Sequence, residues 1–386
     1  MLHVLSEDQK VIRDSIREFV ETEVRPHVPE MERTHEFPRH LMTRCAEIGL
    51  TGILFPEEYG GSDLGLTTFC LALEEIARAT QTLAITLDAN MTLCFLPILQ
   101  AGTQAQKDRY LPRAVSGELI GAYAMSEPSG ATNFAAHTAT GVRDGDEWVL
   151  NATKIFCTNS QAADVYLVLV RVDDNPSPTC FIVDKGTPGL SFGEIEKKLG
   201  WHGSNTGTVI LDDVRVPASS MLGVLHQGLA AALIPIFESC VGIGAMCVGA
   251  AEGAFTKTLE HVKTRNIGGV NLITYQSVSD QIARMGLDIE TSRALVYKTA
   301  AMIDAGGVPV PGSPLSILTS ACKIQPPEMA ARVCDAAIQL HGGYGYIDDM
   351  DVHRYWRDAR ACQIGEGPTS SHLAYIAAAL TAQDVI

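Results

Sequence analysis

The chain has 386 residues, 46% of them apolar, and a formal net charge of −16. That length can bury a substantial core and divides into two or three domains. The acidic balance argues against a nucleic-acid partner, because there is no excess of Lys and Arg to displace phosphate counterions.

No signal-peptide pattern follows Met1, and there is no uncharged apolar run of membrane-spanning length, so a cytoplasmic protein without membrane insertion is expected. Ten cysteines are scattered without a C-x-x-C pair. They suggest neither a zinc centre nor a thioredoxin-like motif, and several fall in apolar helical patterns as ordinary core thiols. No metal is expected.

The chain starts helical. Ser6 with Gln9 reads as a capping box, and Ile12, Ile16, Phe19 and Val20 recur at helical spacing up to Pro26. Further helices are expected at 38–48, 66–79, 93–99 and 104–115. The period then falls to two. Residues 119–125 read as a strand, 138–142 and 148–150 pair across the Asp144-Gly145 turn, and 165–172, 180–183 and 208–211 are β-prone. Helices resume over about 228–264, 275–304, 314–340 and 369–382. Val278, Ile282, Met285, Ile289 and Val296 share one stripe of the second, as bundle packing requires. Pro326-Pro327 predicts a kink or break in the third. The expected fold is α+β and multidomain: an N-terminal α-helical domain (1–118), a middle antiparallel β-barrel or sandwich (119–226) and a C-terminal four-helix bundle (227–386).

Two stretches carry chemistry. In the first, Tyr123-Ala124-Met125-Ser126-Glu127-Pro128-Ser129-Gly130-Ala131-Thr132, a strand end offers the hydroxyls of Ser126 and Thr132 and free backbone N–H groups to the polar edge of a flat ligand. A capped strand-to-loop turn would read the same. In the second, Gln339-Leu340-His341-Gly342-Gly343-Tyr344-Gly345 precedes a charged segment that ends in Gly365-Glu366-Gly367. The two glycines remove bulk on both sides of one carboxylate, so a large ligand can approach it. A solvated glutamate in a surface turn is the plainer reading. Gly343-Tyr344-Gly345 is not a dinucleotide fingerprint, since it follows a helix rather than a strand.

The ordered set of these motifs resembles the acyl-CoA dehydrogenase family over essentially the whole chain. The resemblance implies FAD as cofactor, an acyl-CoA or acyl-carrier-protein thioester as substrate, an electron-transfer flavoprotein as electron acceptor, and a homo-oligomer, a dimer of dimers. It implies that Glu366 takes the α-proton while the β-hydrogen leaves as hydride to the flavin. A base of this kind works when the thioester carbonyl is held by donors and when burial brings the carboxylate pKa towards neutrality. By resemblance Met125, Ser126, Thr132, Phe156, Cys157, Thr158 and Thr369 line the flavin. Arg265, Gln276, Gln339 and Gly343 meet the FAD of a neighbouring subunit, and Ser126, Thr132, Cys240, Gly365, Glu366 and Gly367 line the substrate.

Three departures qualify the resemblance. Cys240 stands where many members carry Arg, with Glu238, the runner-up base, one residue from the place where isovaleryl-CoA dehydrogenases put theirs. Gly268 replaces a Phe in Arg265-Asn266-Ile267-Gly268-Gly269, and His202 replaces an Arg. Gly365 in place of a pocket-walling Tyr, Phe156 in place of a Trp, and the small Cys240 together predict room for a branched, cyclic or aryl acyl group. The alternatives are a flavin-dependent monooxygenase on the same fold and a helical scaffold without catalysis.

Overall fold

The computed structural model describes residues 5–131, 133–173 and 175–382. The N-terminal third is helical, as its periodicity predicts. The Ser6–Gln9 capping box starts α1 (Glu7–Phe19), which passes through a π-turn at Val20–Val24 into α2 (Val28–Thr34) and then α3 (Arg39–Glu47). In α4 (Gly65–Ala77) every residue from Leu66 to Ala77 is buried, its two glutamates, Glu74 and Glu75, being paired with Arg293 and Arg17. The next helical run has three parts: α5 (Gln81–Asp88), a π-helix over Ala89–Phe95, and α6 (Leu96–Ala101). A second capping box, Thr103 with Gln106, opens α7 (Gln104–Val115).

The middle region is one sheet of eight strands: β1 (Gly121–Ala124), β2 (Thr140–Asp144), β3 (Glu147–Thr158), β4 (Val165–Val172), β5 (Thr179–Asp184), β6 (Leu190–Ile195), β7 (Thr206–Pro217) and β8 (Met221–Leu222). The β2–β3 hairpin closes across Asp144-Gly145 as expected, with Asp144 opposite Glu147. The sheet is mixed rather than wholly antiparallel, because β4 pairs in parallel with both β1 and β2. Both pairings join segments separated by other elements, so no local turn signal announces them.

The C-terminal region holds α8 (Gly228–Thr264), a two-residue hairpin formed by β9 (Asn266–Ile267) and β10 (Val270–Asn271), α9 (Gln276–Asp304), α10 (Pro314–His341), α11 (Val352–Cys362) and α12 (Thr369–Ala382). The expected break at Pro326-Pro327 does not occur. Both prolines are buried inside a continuous α10, and packing against α8 and α9 carries the helix across the two missing N–H groups. The segment before Glu366, legible only as charged, forms α11, with Val352, Tyr355, Ala359 and Cys362 on its buried face.

Two apolar cores result. One runs from α1–α7 through α8–α11, including Leu71 and Leu73 of α4 and Val241, Ala245 and Val248 of α8, so the N-terminal helices and the bundle share it. The other is the sheet's own, around Leu150, Tyr166, Phe181 and Val214. Strand β1 lies between them: Ala122 and Ala124 face the sheet core while Tyr123 and Met125 pack against the helical one. Among the described residues two helical stretches are long and apolar enough to cross a membrane, Gln81–Ala101 and Leu233–Thr264, and both are mostly buried.

Candidate active site

Glu366 sits in the short link between α11 and α12. The link turns sharply, with φ +55° at Glu366 and +94° at Gly367. The left-handed conformation costs a residue with a side chain about 1 kcal/mol, and such strain collects at functional positions. Lys323, fully buried on α10, holds the turn in place. Its ammonium donates to the carbonyl of Cys362 at 2.6 Å and to that of Gly367 at 3.2 Å. His372 Nε2 lies 3.1 Å from the Glu366 carbonyl oxygen. Among the described residues no backbone acceptor takes the Glu366 N–H.

The Glu366 side chain reaches inward to α8, where the Ser239 hydroxyl lies 2.9 Å from Oε2. The same hydroxyl lies 2.7 Å from Oδ2 of Asp88, at the last residue of α5. Asp88, Ser239 and Cys240 are fully buried, while the Glu366 residue keeps partial exposure. Burial raises the Glu366 pKa, against the lowering effects of the Ser239 hydrogen bond and the Lys323 charge. Burial, and after it the Glu366 charge, pushes Asp88 well above the usual carboxylate range. Gly242, one turn along α8, makes room for the pair, since a Cβ there would lie 2.6 Å from Asp88 Oδ1.

Glu238 takes no part in this cluster. Burial lifts its carboxyl to about 7, with Asp304 adding to the rise and a hydrogen bond from Gln100 opposing it. Ser239, the next residue, makes the contact instead.

A second surface lies at the edge of the sheet. In β3 the register against β7 slips between Lys154 and Cys157, and Phe156 stands at that bulge with φ +53° and its ring 65% exposed. A bulge re-aims a side chain, and an aromatic ring turned outward on a strained backbone is unlike a core residue. Beneath it, Lys154 and Glu127 form an ion pair at 2.7 Å with side chains 0% and 1% exposed. Lys154 also donates to the Met125 carbonyl at 3.1 Å, and Glu127 accepts the N–H groups of Thr138 and Ala139. The turn bearing Met125 and Ser126, both half-buried, is therefore anchored from below. Burial raises the Glu127 pKa, but the Lys154 hydrogen bond and charge and the Thr138 donors outweigh it and bring it to about 2.

Cys157 turns inward. Its side chain is buried in the sheet core with Sγ 3.4 Å from the Tyr123 carbonyl, so only its backbone is left to face a ligand. Thr158 is half-buried beside it, and Thr132 lies outside the described residues. The Tyr123 hydroxyl is buried and has no hydrogen-bond partner among the described residues. An orphaned donor and an outward aromatic on the anchored turn fit a flat, polar-edged group such as a flavin.

The remaining expected residues fall at two places. Gly365, Gly367 and Thr369 share the Glu366 link and the start of α12. Arg265 follows α8, Gln276 opens α9, and Gln339 and Gly343 lie at the end of α10, all exposed at one end of the bundle. There the Arg265 guanidinium lies 5.4 Å from the Tyr344 ring centroid, and His261 stacks on His341 at 4.3 Å. His202 lies elsewhere, with its ring 3.1 Å from Glu32 and 3.3 Å from Arg357 and stacked on His35.

Asp88, Ser239 and Lys323 are the site residues that the sequence reading missed. One signal was present: Asp88 is the single charged residue in the apolar stretch from Gln81 to Leu99, and Lys323 the single one between Ala305 and Pro327.

The chain matches three family models in order: the acyl-CoA dehydrogenase N-terminal domain over residues 6–118, the middle domain over 122–214 and the C-terminal domain over 226–381. It is 35% identical to a short-chain specific acyl-CoA dehydrogenase of Clostridium acetobutylicum, covering 94% of this chain and 95% of the relative. It is 36% identical to a cyclohexane-1-carbonyl-CoA dehydrogenase of Geobacter metallireducens, covering 94% of each. A solved chain from the electron transferring flavoprotein structure of Acidaminococcus fermentans superposes with a TM-score of 0.94 at 36% identity, over 98% of this chain and 99% of that one. The chain belongs to the acyl-CoA dehydrogenase family, whose members are FAD-dependent oxidoreductases.

Proposed function

We propose that the chain carries out α,β-dehydrogenation of an acyl-CoA thioester to the trans-2-enoyl-CoA, with Glu366 as the base. The observation that carries this reading is the Glu366 carboxyl itself. It is half-buried, raised in pKa by burial, and held by Ser239 on a strained link that Lys323 fastens. A carboxylate base gains strength from such burial, and the N–H of Glu366, which has no backbone acceptor among the described residues, would donate to a thioester carbonyl and acidify its α-proton. Met125, Ser126, Phe156 and Thr158 would hold the isoalloxazine side of FAD, with Thr369 beside them. FAD, when bound, supplies the hydride acceptor. Cys240, Gly365 and Gly367 would wall the acyl group, with Ser126 towards the thioester.

Arg265, Gln276, Gln339 and Gly343, exposed together at one end of the bundle, support a homo-oligomer in which each subunit completes its neighbour's cofactor site, a dimer of dimers. The likeness to the Acidaminococcus structure supports an electron-transfer flavoprotein as electron acceptor. A carrier-protein-bound acyl group remains the alternative substrate. Within the proposed branched, cyclic or aryl class, the Geobacter relative supports a cyclic acyl group.

Anaerobic titration with an acyl-CoA panel tests the reading. We expect yellow protein with about one FAD per chain, bleached by its substrate. Protein that takes up no FAD, or whose flavin no acyl-CoA reduces, would overturn it.

A further inference from the structure

Asp88 is fully buried at the junction of α5 and the π-helix, and the described residues place no cation beside it. Its polar neighbours are two hydroxyls. Thr92 Oγ1 is 3.3 Å from Oδ1 but 2.7 Å from the Asp88 carbonyl oxygen, so its single hydrogen is committed to the backbone. Ser239 Oγ is the close partner at 2.7 Å, and it is also 2.9 Å from Glu366.

A serine hydroxyl has one hydrogen to give. Donating to one carboxylate, Ser239 can meet the second only as an acceptor, and that contact then needs a proton on the second carboxyl. If both acids were ionised, one of the two short contacts would be oxygen against oxygen in a site with little water. The geometry is satisfied when Asp88, Ser239 and Glu366 share a single negative charge.

The surroundings decide which end carries the charge. On the Glu366 side, Lys323 reaches from α10, and the residue keeps some exposure. On the Asp88 side, the facing group is the Cys70 thiol of α4, and the Cys240 thiol of α8 faces both carboxyls; burial pushes both thiols far up, so both are neutral. His372 of α12, near the Glu366 carbonyl, is lowered by burial. The anion therefore belongs on Glu366 and the proton on Asp88.

We propose that Asp88 is a positioning residue that keeps a proton and, through the Ser239 hydroxyl, holds Glu366 in its ionised, proton-accepting form. The reverse shift is balanced. Asp88 gives its proton to Ser239 as Ser239 passes its own to Glu366, one O–H bond breaking and one forming at each step, and the base is then switched off with the charge moved to Asp88. Two features accommodate the arrangement: the π-turn that begins at Ala89, a type of distortion that gathers at functional sites, and the missing side chain of Gly242. The inference rests on the reading of Glu366 as base.

Isotope-edited infrared spectroscopy of the full-length protein with ¹³C-labelled aspartate tests it without any turnover. We expect a protonated-carboxyl carbonyl band that persists into mildly alkaline solution and is lost in Asp88→Asn. In Glu366→Gln the neighbouring anion is gone, and the same band should titrate at least one pH unit lower. Flavin reduction followed against pH gives the second reading. The wild type should show an acid limb from Glu366 and a separate alkaline step, and Asp88→Asn should keep the first and lose the second. A spectrum without the band, a band unmoved by Glu366→Gln, or an Asp88→Asn profile superimposable on the wild type would each overturn the proposal. Should Asp88→Asn not fold, the Glu366→Gln shift decides alone. A flavin that no acyl-CoA reduces would instead refute the dehydrogenase reading and leave the infrared result standing.

Discussion

Lys323 fastens Gly367 from inside the bundle: its ammonium donates to the Gly367 carbonyl at 3.2 Å, one residue beyond Glu366, and to Cys362 at the end of α11. One buried cation thus fixes both ends of the turn that presents the carboxylate, while its charge lowers the pKa of that carboxylate. Lys323→Met removes both effects. Two carbonyls lose their donor, at a cost of about 1–3 kcal/mol each where they stay buried. The pKa of Glu366 is already raised by burial, and without Lys323 it rises further. Because the base works only when ionised, the acid limb of flavin reduction should move to higher pH. Stopped-flow reduction across pH, beside a thermal melt, separates the shift from the loss of stability.

Glu366→Gln keeps the shape of the side chain and can still meet the Ser239 hydroxyl, but it cannot accept a proton. Flavin reduction should fall by about 10² or more, the usual worth of a general base. FAD content and acyl-CoA binding should remain near wild type, and equilibrium titration checks both.

Glu238→Gln should leave flavin reduction within about threefold of wild type, a change under 1 kcal/mol. The Glu238 carboxyl interacts with Gln100 and Asp304 and makes no contact with Glu366, although burial gives it a pKa of about 7. A dead Glu238→Gln beside an active Glu366→Gln would move the base to α8.

What the sequence revealed and what it hid have separate physical causes. Glu366 was legible because two glycines and a preceding motif mark a turn, and turns have local signatures. The capping box at Ser6 and the Asp144-Gly145 hairpin are legible for the same reason. Asp88 was not recognised, because its role comes from a residue 151 positions away on α8 and from burial that no local pattern states. The parallel pairing of β1 with β4 was hidden likewise. The inward turn of the Cys157 side chain was hidden as well, because it follows from the register slip of β3 against β7 at the Phe156 bulge, and only the Cys157 backbone is left open to a ligand.

The Lys154–Glu127 pair sets an expectation in acid. The folded Glu127 pKa of about 2 lies below the ordinary 4.5, so its contribution to stability is present above that ordinary value and is lost as pH falls from about 4.5 towards 2. Glu127→Gln should therefore be less stable than wild type at neutral pH, with Lys154 left uncompensated, and the difference should shrink through this window. Denaturant midpoints measured against pH check it. Because Lys154 also holds the Met125 carbonyl, the variant should bind FAD more weakly.

The proposed substrate preference can be tested at Gly365. A Cβ built there would meet only the Ala361 carbonyl oxygen, at 3.6 Å, an ordinary contact, and Gly365 is not among the residues with positive φ, so a side chain can be added without backbone strain. The backbone at Gly365 therefore does not itself forbid a ring at this position. If Gly365 and the small Cys240 wall the acyl group as proposed, the site should admit substitution close to its α- and β-carbons. Wild-type kinetics with butyryl-, octanoyl-, isovaleryl-, cyclohexanecarboxyl- and phenylpropionyl-CoA should favour a branched, cyclic or aryl acyl group, and a clear preference for octanoyl-CoA would refute the argument. Gly365→Tyr should refill the space. Loss of a few methylene contacts in an apolar pocket changes kcat/KM by about 10- to 200-fold. We therefore expect the ratio of cyclohexanecarboxyl- to butyryl-CoA activity to drop at least tenfold in Gly365→Tyr, with butyryl-CoA turnover largely kept.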